Sequence, residues 1–260
     1  MIEEKKISIE NLEVNYKIAG EGFPFLILHG WGGSSNSWVN VQKILANQGY
    51  KIIVPDLPGF GKTSSPETPW GVKDYTNFVL GFVDKLDLKR IILLGHSFGG
   101  RMAIKFSHLY PEKVESLVLC ASAGVKIPPT FLQKVIYIVA RAGNFLFSPK
   151  LLRRLKDVAR NFFYTIIRQR DYKRAKGTMR ETFKKIVADD LVLDLPEIKA
   201  RTLIVWGEKD RAVPTEAAHL IKEKVPNSVL ELIPGVTHTP NLEAPEKLSA
   251  VILNFLKSKS

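Results

Sequence analysis

A serine in a tight, glycine-rich turn is the strongest chemical feature of the sequence. Residues 95–100 are Gly-His-Ser-Phe-Gly-Gly, and they directly follow the apolar run of residues 91–94. A serine with glycines two positions before and two after it, between a predicted strand and a predicted helix, is typical of a nucleophile elbow. The glycines let strand and helix pass closely, and the strained turn exposes the hydroxyl. Ser97 is therefore predicted to be a nucleophile.

A serine hydroxyl requires a general base, and the sequence offers five histidines. His29 and His96 lie in glycine-rich turns, which we expect them to shape. His108 and His219 fall within predicted helices. His238 lies in a loop after the last predicted strand, from which an imidazole can reach back over the serine. His238 is therefore the predicted base.

The carboxylate that orients the base is expected at the end of the preceding strand. Asp210 lies in the turn beyond the predicted strand 202–206, and Glu208 is its nearby competitor. Asp210 is preferred because the chain order Ser, Asp, His is the one that accompanies this elbow. The alternative role for Asp210 is to cap its own turn. The loop at residues 121–125, after another predicted strand, contains no carboxylate.

The oxyanion that forms when a serine attacks a carbonyl needs two N–H donors. Residues 29–34, His-Gly-Trp-Gly-Gly-Ser, follow the continuous apolar run 25–28. Glycines there let the backbone approach a substrate carbonyl, and the N–H of Trp31 is the best candidate donor. The second candidate is the N–H of Phe98, at the predicted N-terminus of the helix after Ser97.

The elements that must position these residues alternate along the chain. A predicted antiparallel hairpin covers residues 5–18, with a turn near Asn11. Alternating strands and helices then predict a mostly parallel sheet covered by helices on both faces. The predicted strands are residues 25–28, 51–54, 90–94, 114–120, 202–206 and 229–233, and the predicted helices are residues 36–48, 74–86, 98–109, 215–224 and 244–257.

The alternation breaks between residues 126 and 195, which are predicted to be all-helical. We expect this segment to form a cap, or lid, over the carboxyl ends of the strands, where open α/β sheets bind ligands. The predicted organisation is thus a core domain of residues 1–125 and 196–260 with a cap inserted at residues 126–195.

The cap also carries most of the net charge of +12. Residues 126–200 contain 17 Lys and Arg against 7 Asp and Glu. The segment has no recognisable nucleic-acid motif, so a helical face with solvated basic side chains is the preferred interpretation. No nucleic-acid partner is predicted, and the sequence does not indicate an oligomeric state.

The composition is that of an ordinary globular protein: 260 residues, 45% hydrophobic and 25% charged. No run approaches the roughly 18 to 20 apolar residues that span a bilayer. Residues 1–6 lack the apolar core of a secretory signal. The single cysteine, Cys120, ends an apolar strand and is expected to be a core residue. A cytoplasmic protein is predicted.

Taken together, these motifs make the chain similar to members of the α/β-hydrolase superfamily that carry a helical cap between the sixth and seventh strands. The segments that carry the resemblance are residues 29–32, 56–61, 95–100 and 207–210, together with His238. The resemblance implies an α/β fold with a mostly parallel eight-stranded sheet.

The resemblance also implies roles for the site residues. Ser97 would be the nucleophile, His238 the general base and then acid, and Asp210 the orienting carboxylate. The N–H groups of Trp31 and Phe98 would form the oxyanion hole. No metal or organic cofactor is expected. Asp56, in the turn 56–61, is expected to brace its loop rather than to do chemistry.

The serine at the elbow excludes the haloalkane dehalogenases and epoxide hydrolases of this fold, which have aspartate there. The predicted function is a carboxylesterase acting on small or medium acyl esters. A C–C bond hydrolase of the meta-cleavage-product type is a second possibility, although such enzymes usually have Ser-Met-Gly-Gly where residues 97–100 are Ser-Phe-Gly-Gly. A triad-bearing receptor and a membrane-associated lipase whose basic cap contacts anionic lipid are also compatible with these motifs. Trp70 is expected to line an acyl pocket or to pack the cap onto the core.

Overall fold

The computed structural model describes residues 1–127 and 177–258, which form one eight-stranded sheet flanked by helices. The strands are β1 (Ile2–Ile9), β2 (Leu12–Ala19), β3 (Phe23–Leu28), β4 (Tyr50–Pro55), β5 (Ile91–His96), β6 (Val114–Cys120), β7 (Arg201–Gly207) and β8 (Ser228–Ile233). The helices are α1 (Val39–Ala46), α2 (Val72–Lys85), α3 (Phe98–Leu109), α4 (Gly177–Ala188), α5 (Thr215–Lys224), α6 (Pro240–Glu243) and α7 (Pro245–Lys257). Short 3-10 helices cover Ser35–Trp38, Pro111–Lys113 and Val192–Glu197.

The sheet has the order β1-β2-β4-β3-β5-β6-β7-β8 and is parallel except at one end. β1 and β2 form an antiparallel hairpin, and β2 also pairs antiparallel with β4. The other pairs, from β4 through β3 to β8, are parallel. The predicted α/β fold with a mostly parallel eight-stranded sheet is confirmed. Parallel strands all end at the same edge, so the loops that follow β3, β5, β7 and β8 meet there.

Successive side chains of each central strand point to opposite faces, and both faces are buried. In β3, Leu26 and Leu28 pack on the face covered by α2, α3 and α5, whereas Phe25 and Ile27 pack on the face covered by α1 and α7. All four side chains have zero exposed area. This double burial explains why the strand is a continuous apolar run rather than an alternating one.

Helix α3 passes exceptionally close to strands β3 and β5, and glycines make this passage possible. A Cβ on Gly99 would overlap the carbonyl oxygen of Leu28, at the end of β3. A Cβ on Gly95 would lie 2.6 Å from both the Cβ of Ala103 and the carbonyl oxygen of Gly99. Only residues without a Cβ fit where two backbones approach this closely. The positions of Gly95 and Gly99 therefore set the height of α3 above the sheet.

The predicted cap at residues 126–195 is described only in part, because residues 128–176 lie outside the described residues. Most of the basic residues of the segment, and the helices predicted for its first two thirds, fall in that range. Its described portion contains α4, whose side chains Met179, Phe183 and Ile186 are buried. The far end of the segment is joined to the chain just before its start, because the N–H of Leu191 donates to the carbonyl of Gly124 at 2.8 Å. In the described part of the chain, no helix has the length and apolar character needed to cross a membrane.

We predict that Gly99→Ala lowers the free energy of unfolding by about 3 kcal/mol, because the added methyl group overlaps backbone that cannot rotate away. The matched control is Gly81→Ala in α2, where the added Cβ would meet only the Cγ2 of Ile9, at 3.2 Å. Both substitutions gain the helix propensity of alanine, so that gain cancels in the comparison. Urea denaturation measures both variants, and equal stabilities would contradict the close passage of α3.

Candidate active site

Ser97 lies between β5 and α3 in a strained backbone conformation, with φ of 52° and ψ of −110°. Such conformations cost about 1–3 kcal/mol and persist only where the surroundings enforce them. Three hydrogen bonds do so here. The N–H of Ser97 donates to the carbonyl of Cys120 at 3.1 Å, and its carbonyl accepts from the N–H groups of Gly100 and Ala123, each at 3.0 Å. The end of β6 therefore holds the turn that carries the serine.

The fold brings Ser97, His238 and Asp210 into one hydrogen-bonded chain. Nε2 of His238 lies 2.9 Å from Oγ of Ser97, and Nδ1 of His238 lies 2.7 Å from Oδ2 of Asp210. All three residues are buried, with exposed fractions of 5–7%. An imidazole whose Nδ1–H donates to the carboxylate presents an Nε2 lone pair to the hydroxyl. This is the arrangement in which a histidine can remove the proton of a serine.

Asp210 combines the two roles that the sequence left open for it. Its Oδ2 accepts from His238, and its Oδ1 accepts from the N–H groups of Ala212 and Val213, at 2.8 and 2.9 Å. The same carboxylate thus caps its own turn and faces the imidazole. Glu208, the competitor, is exposed and accepts from the N–H of Gly235 at 3.1 Å.

The loop that carries His238 is pressed against the end of β7. A Cβ on Gly207 would overlap the carbonyl oxygen of Thr237, so the loop can lie here only because residue 207 is glycine. The N–H of Lys209 donates to the carbonyl of Val236 at 2.9 Å, which joins this loop to the Asp210 turn. The loops after β7 and β8 are therefore held together, and they carry the carboxylate and the imidazole.

The two candidate oxyanion donors lie on either side of Ser97. A Cβ on Gly30 would lie 3.3 Å from the Cβ of Ser97, so the loop with Trp31 runs directly beside the serine. Phe98 is the first residue of α3, where backbone N–H groups have no acceptor within the helix. Among residues 1–127 and 177–258, neither the N–H of Trp31 nor that of Phe98 donates a hydrogen bond.

Two other histidines support the loops of the site, as their positions in turns predict. Nε2 of His29 accepts from the N–H of Leu57 at 2.9 Å, so its Nδ1–H is the group that donates to the carbonyl of Gly30, at 2.8 Å. Burial lowers the pKa of His29 from 6.5 to about 4 and keeps the ring neutral. Nε2–H of His96 donates to the carbonyl of His238 at 2.9 Å. The sequence did not predict this second contact, since it joins residues 142 positions apart.

The remaining two histidines lie away from the site. Nδ1 of His108 lies 2.5 Å from Oδ1 of Asp194, and Lys105 binds the same oxygen at 2.8 Å. His219 is exposed on α5. Neither contacts Ser97 or Asp210.

Asp56 braces three segments, as expected from its turn. Its carboxylate accepts from the side-chain amide of Asn15 and from the N–H groups of Ser35 and Lys62, at 2.9, 2.6 and 2.9 Å. Burial by itself would raise the pKa of Asp56, but these hydrogen bonds outweigh it and hold the pKa below its usual value. Asp56 therefore fixes the segment after the Trp31 loop against β2 and β4.

Aromatic rings cluster around Phe98, the residue that follows Ser97. The ring of Trp31 makes edge contacts with Phe60, Phe98 and Phe183, at centroid distances of 4.9, 5.2 and 5.0 Å. Phe183 belongs to α4, so the cap segment packs directly on the candidate oxyanion loop. The ring of Trp70 packs against Tyr75, and the backbone N–H of Trp70 donates to Oγ1 of Thr182 at 3.0 Å, so Trp70 joins the core to α4.

The thiol of the single cysteine takes no part in this site, although the Cys120 carbonyl accepts from the N–H of Ser97. Cys120 has zero exposed area, and burial raises the pKa of its thiol. No group of three or more His, Cys, Asp or Glu residues in the described ranges is arranged to hold a metal ion.

The low pKa of His29 predicts a measurable loss of stability in acid. The unfolded chain binds a proton at His29 below about pH 6.5, whereas the folded protein does so only below about pH 4, so the free energy of unfolding falls through this window as pH drops. At pH 5 the contribution is about 2 kcal/mol. We expect His29→Gln, which keeps an acceptor for Leu57, to lose this pH dependence. Urea denaturation at pH 7 and pH 5 tests this, and His219→Gln is the exposed control. An unchanged slope in His29→Gln would contradict the prediction.

The sequence and fold of this chain are similar to those of known hydrolases. A family model described as the alpha/beta hydrolase fold matches residues 24–245. A curated relative from Pseudomonas putida, named 2-hydroxy-6-oxononadienedioate/2-hydroxy-6-oxononatrienedioate hydrolase 1, is 30% identical over 265 residues, which cover 95% of this chain and 92% of the relative.

Solved structures with similar folds include two hydrolases. One is a putative lipase from Acinetobacter baumannii, with a TM-score of 0.76 and 26% identity, covering 98% of this chain and 91% of the other. The other is a serine hydrolase involved in carbazole degradation, with a TM-score of 0.75 and 25% identity, covering 98% of this chain and 99% of the other. The sheet order, the strained turn of Ser97 and the matched span of residues 24–245 lead to one conclusion: this chain belongs to the α/β-hydrolase fold family.

Proposed function

We propose that this hydrolase cleaves carboxylic esters of small to medium acyl chains through an acyl-enzyme on Ser97. The observation that carries the proposal is the hydrogen-bonded chain from Oγ of Ser97 through His238 to Asp210, with distances of 2.9 and 2.7 Å. A serine, a neutral imidazole and a buried carboxylate in this order are the parts that nucleophilic acyl transfer requires.

In the first half of the reaction, Oγ of Ser97 attacks the ester carbonyl carbon while Nε2 of His238 takes its proton. The carbonyl oxygen becomes an oxyanion, to which the N–H groups of Trp31 and Phe98 donate hydrogen bonds. The tetrahedral intermediate then breaks its bond to the alcohol oxygen. His238 gives its proton to that oxygen, and the alcohol leaves.

In the second half, water replaces the alcohol. His238 removes a proton from the water as its oxygen attacks the acyl carbon, and the bond to Oγ of Ser97 then breaks. Ser97 recovers its proton from His238, and the carboxylic acid leaves. The carboxylate of Asp210 orients the imidazole and stabilises its protonated form.

The preference for an apolar acyl group is supported by the rings that border Ser97. Trp31, Phe60, Phe98 and Phe183 form a continuous set of ring contacts that begins at Phe98, the residue after Ser97. Aromatic side chains favour apolar ligands because contact removes apolar surface of both from water. These rings are the described residues that we assign to the acyl side of the site.

A second candidate function is hydrolysis of a C–C bond next to a carbonyl, in meta-cleavage products. The observation that favours it is the similarity to the Pseudomonas putida hydrolase described above. A relative from Burkholderia vietnamiensis with a similar name is 31% identical, and the match covers 91% of that relative. Both candidates use the same serine, histidine and aspartate, and they differ in the bond that breaks.

Replacing the nucleophile tests the mechanism. We expect Ser97→Ala to lower kcat/KM for p-nitrophenyl esters by at least about 10⁴-fold, since no other described group occupies the position of its hydroxyl. The control is Ser107→Ala, which removes another buried serine hydroxyl, within α3, and should leave the rate within about twofold. Activity that survives in Ser97→Ala would contradict the acyl-enzyme mechanism.

A substrate series separates the two candidate reactions. We expect turnover of p-nitrophenyl esters to peak between acetate and octanoate and to exceed turnover of a 2-hydroxy-6-oxo-dienoate, because the rings beside Ser97 favour an apolar acyl chain. Steady-state kcat/KM for both substrate types, each with Ser97→Ala as the blank, decides the question. A higher kcat/KM for the dienoate would replace the esterase by the C–C hydrolase, and an optimum at palmitate would indicate a lipase.

A further inference from the structure

One carboxylate holds both residues that flank His238. Glu243, the last residue of α6, accepts hydrogen bonds from the N–H groups of Thr237 and Thr239, at 2.8 and 3.1 Å. It also accepts from their hydroxyls, at 2.5 and 2.7 Å. His238 therefore lies at the centre of a short arch whose two ends rest on the same side chain.

The negative charge of Glu243 strengthens its hydrogen bonds to Thr237 and Thr239. Burial by itself would raise its pKa, but the four donors on Thr237 and Thr239 outweigh burial and lower the pKa from 4.5 to about 2. Hydrogen bonds to an ionised acceptor are about twice as strong as those between neutral groups. Glu243 therefore stays ionised, and keeps accepting hydrogen bonds from both threonines, at pH values well below its usual pKa of 4.5.

The base of the arch is fixed to the body of the protein. Nδ2 of Asn241, also in α6, donates to the carbonyl of Ser37 at 2.8 Å, and Asn241 is 2% exposed. Pro245, the first residue of α7, is buried. Because its neighbours are fixed in this way, Glu243 can hold Thr237 and Thr239 in place.

The hydrogen bonds of His238 divide between its ring and its main chain. Asp210 and Ser97 bind the ring, and His96 donates to the carbonyl of His238 while its own ring packs on the imidazole at a centroid distance of 5.2 Å. The hydrogen bonds to Glu243 are made by the residues before and after it. Without them, the main chain on both sides of the imidazole would lose its polar partner on α6.

We propose that Glu243 is a positioning residue: by holding Thr237 and Thr239 it keeps the His238 imidazole aligned with Oγ of Ser97. It touches neither the serine nor the imidazole. A displacement of about 1 Å in a reacting group can cost about 10²-fold in rate. This inference rests on the proposed function of Ser97 and His238, and its effect is expected on kcat, since Glu243 acts on the base rather than on bound substrate.

The test compares Glu243→Ala and Glu243→Gln with the wild type, using a p-nitrophenyl ester at a temperature well below the melting point of each variant. We expect kcat to fall about 10²-fold in Glu243→Ala and less in Glu243→Gln, whose amide oxygen still accepts from some of the donors, while KM stays within about twofold. Glu246→Gln, which neutralises an exposed carboxylate in the first turn of α7, is the matched control and should behave as the wild type.

Two further measurements distinguish positioning from a general structural role. The downfield NMR signal of the His238 Nδ1–H proton is expected to weaken in Glu243→Ala. In the Thr237→Val, Thr239→Val background, which lacks both hydroxyl donors, Glu243→Ala should lower kcat less than it does in the wild type.

The outcomes are separable. If wild-type turnover does not depend on Ser97, the proposed function fails. If it does depend on Ser97 but Glu243→Ala keeps kcat within twofold, the positioning role is wrong. It is equally wrong if kcat falls only in proportion to the folded fraction measured by circular dichroism, or if KM rises as much as kcat falls.

Discussion

The close passage of α3 over β3 and β5 is the constraint on which the site depends. The backbone of Gly99 lies directly against the carbonyl of Leu28, so the helix that begins after Ser97 packs on the sheet with no room for a side chain between them. Leu28 also ends β3 and begins the loop that carries Trp31. One contact thus fixes both the strained serine and the neighbouring oxyanion loop. Because the central strands are buried on both faces, the sheet beneath this contact cannot shift to relieve it.

Above the sheet edge, buried polar groups join loops that are distant in sequence. Asp56 connects the segment after the Trp31 loop to β2 and β4, and His29 connects the loop after β3 to the chain after β4. His96 reaches from the elbow to the loop of His238. Each of these buried groups would be costly without its partner, so the loops are held in one arrangement. The serine, the imidazole and the carboxylate are therefore already positioned, and little conformational entropy is lost at these residues when substrate binds.

The rings of Trp31, Phe60, Phe98 and Phe183 join the loop after β3 and the start of α3 to helix α4. Trp31 and Phe98 are the candidate oxyanion donors through their backbones. Their rings pack against each other, and the ring of Trp31 also packs against Phe183 of α4. Helix α4 therefore contacts one of the two residues whose N–H groups would stabilise the oxyanion.

The sequence by itself determined the sheet, the elbow and the order of the site residues, because these depend on local patterns. Buried strands are short apolar runs, and glycines two positions from Ser97 mark a turn that only they allow. The sequence also predicted that Asp56 braces its turn. What it left open was which partner each polar group would meet, since these partners lie far along the chain.

Only the tertiary structure decided that Asp210 both caps its turn and faces His238, while Glu208 turns outward. The contact of His96 with the carbonyl of His238 and the arch over Glu243 likewise appear only in three dimensions. Two threonines around a histidine with a glutamate five residues later are a weak local hint, because many loops contain such residues without hydrogen bonds between them. A pattern of residue types records burial and turns, whereas a hydrogen bond depends on a distance that the whole fold sets.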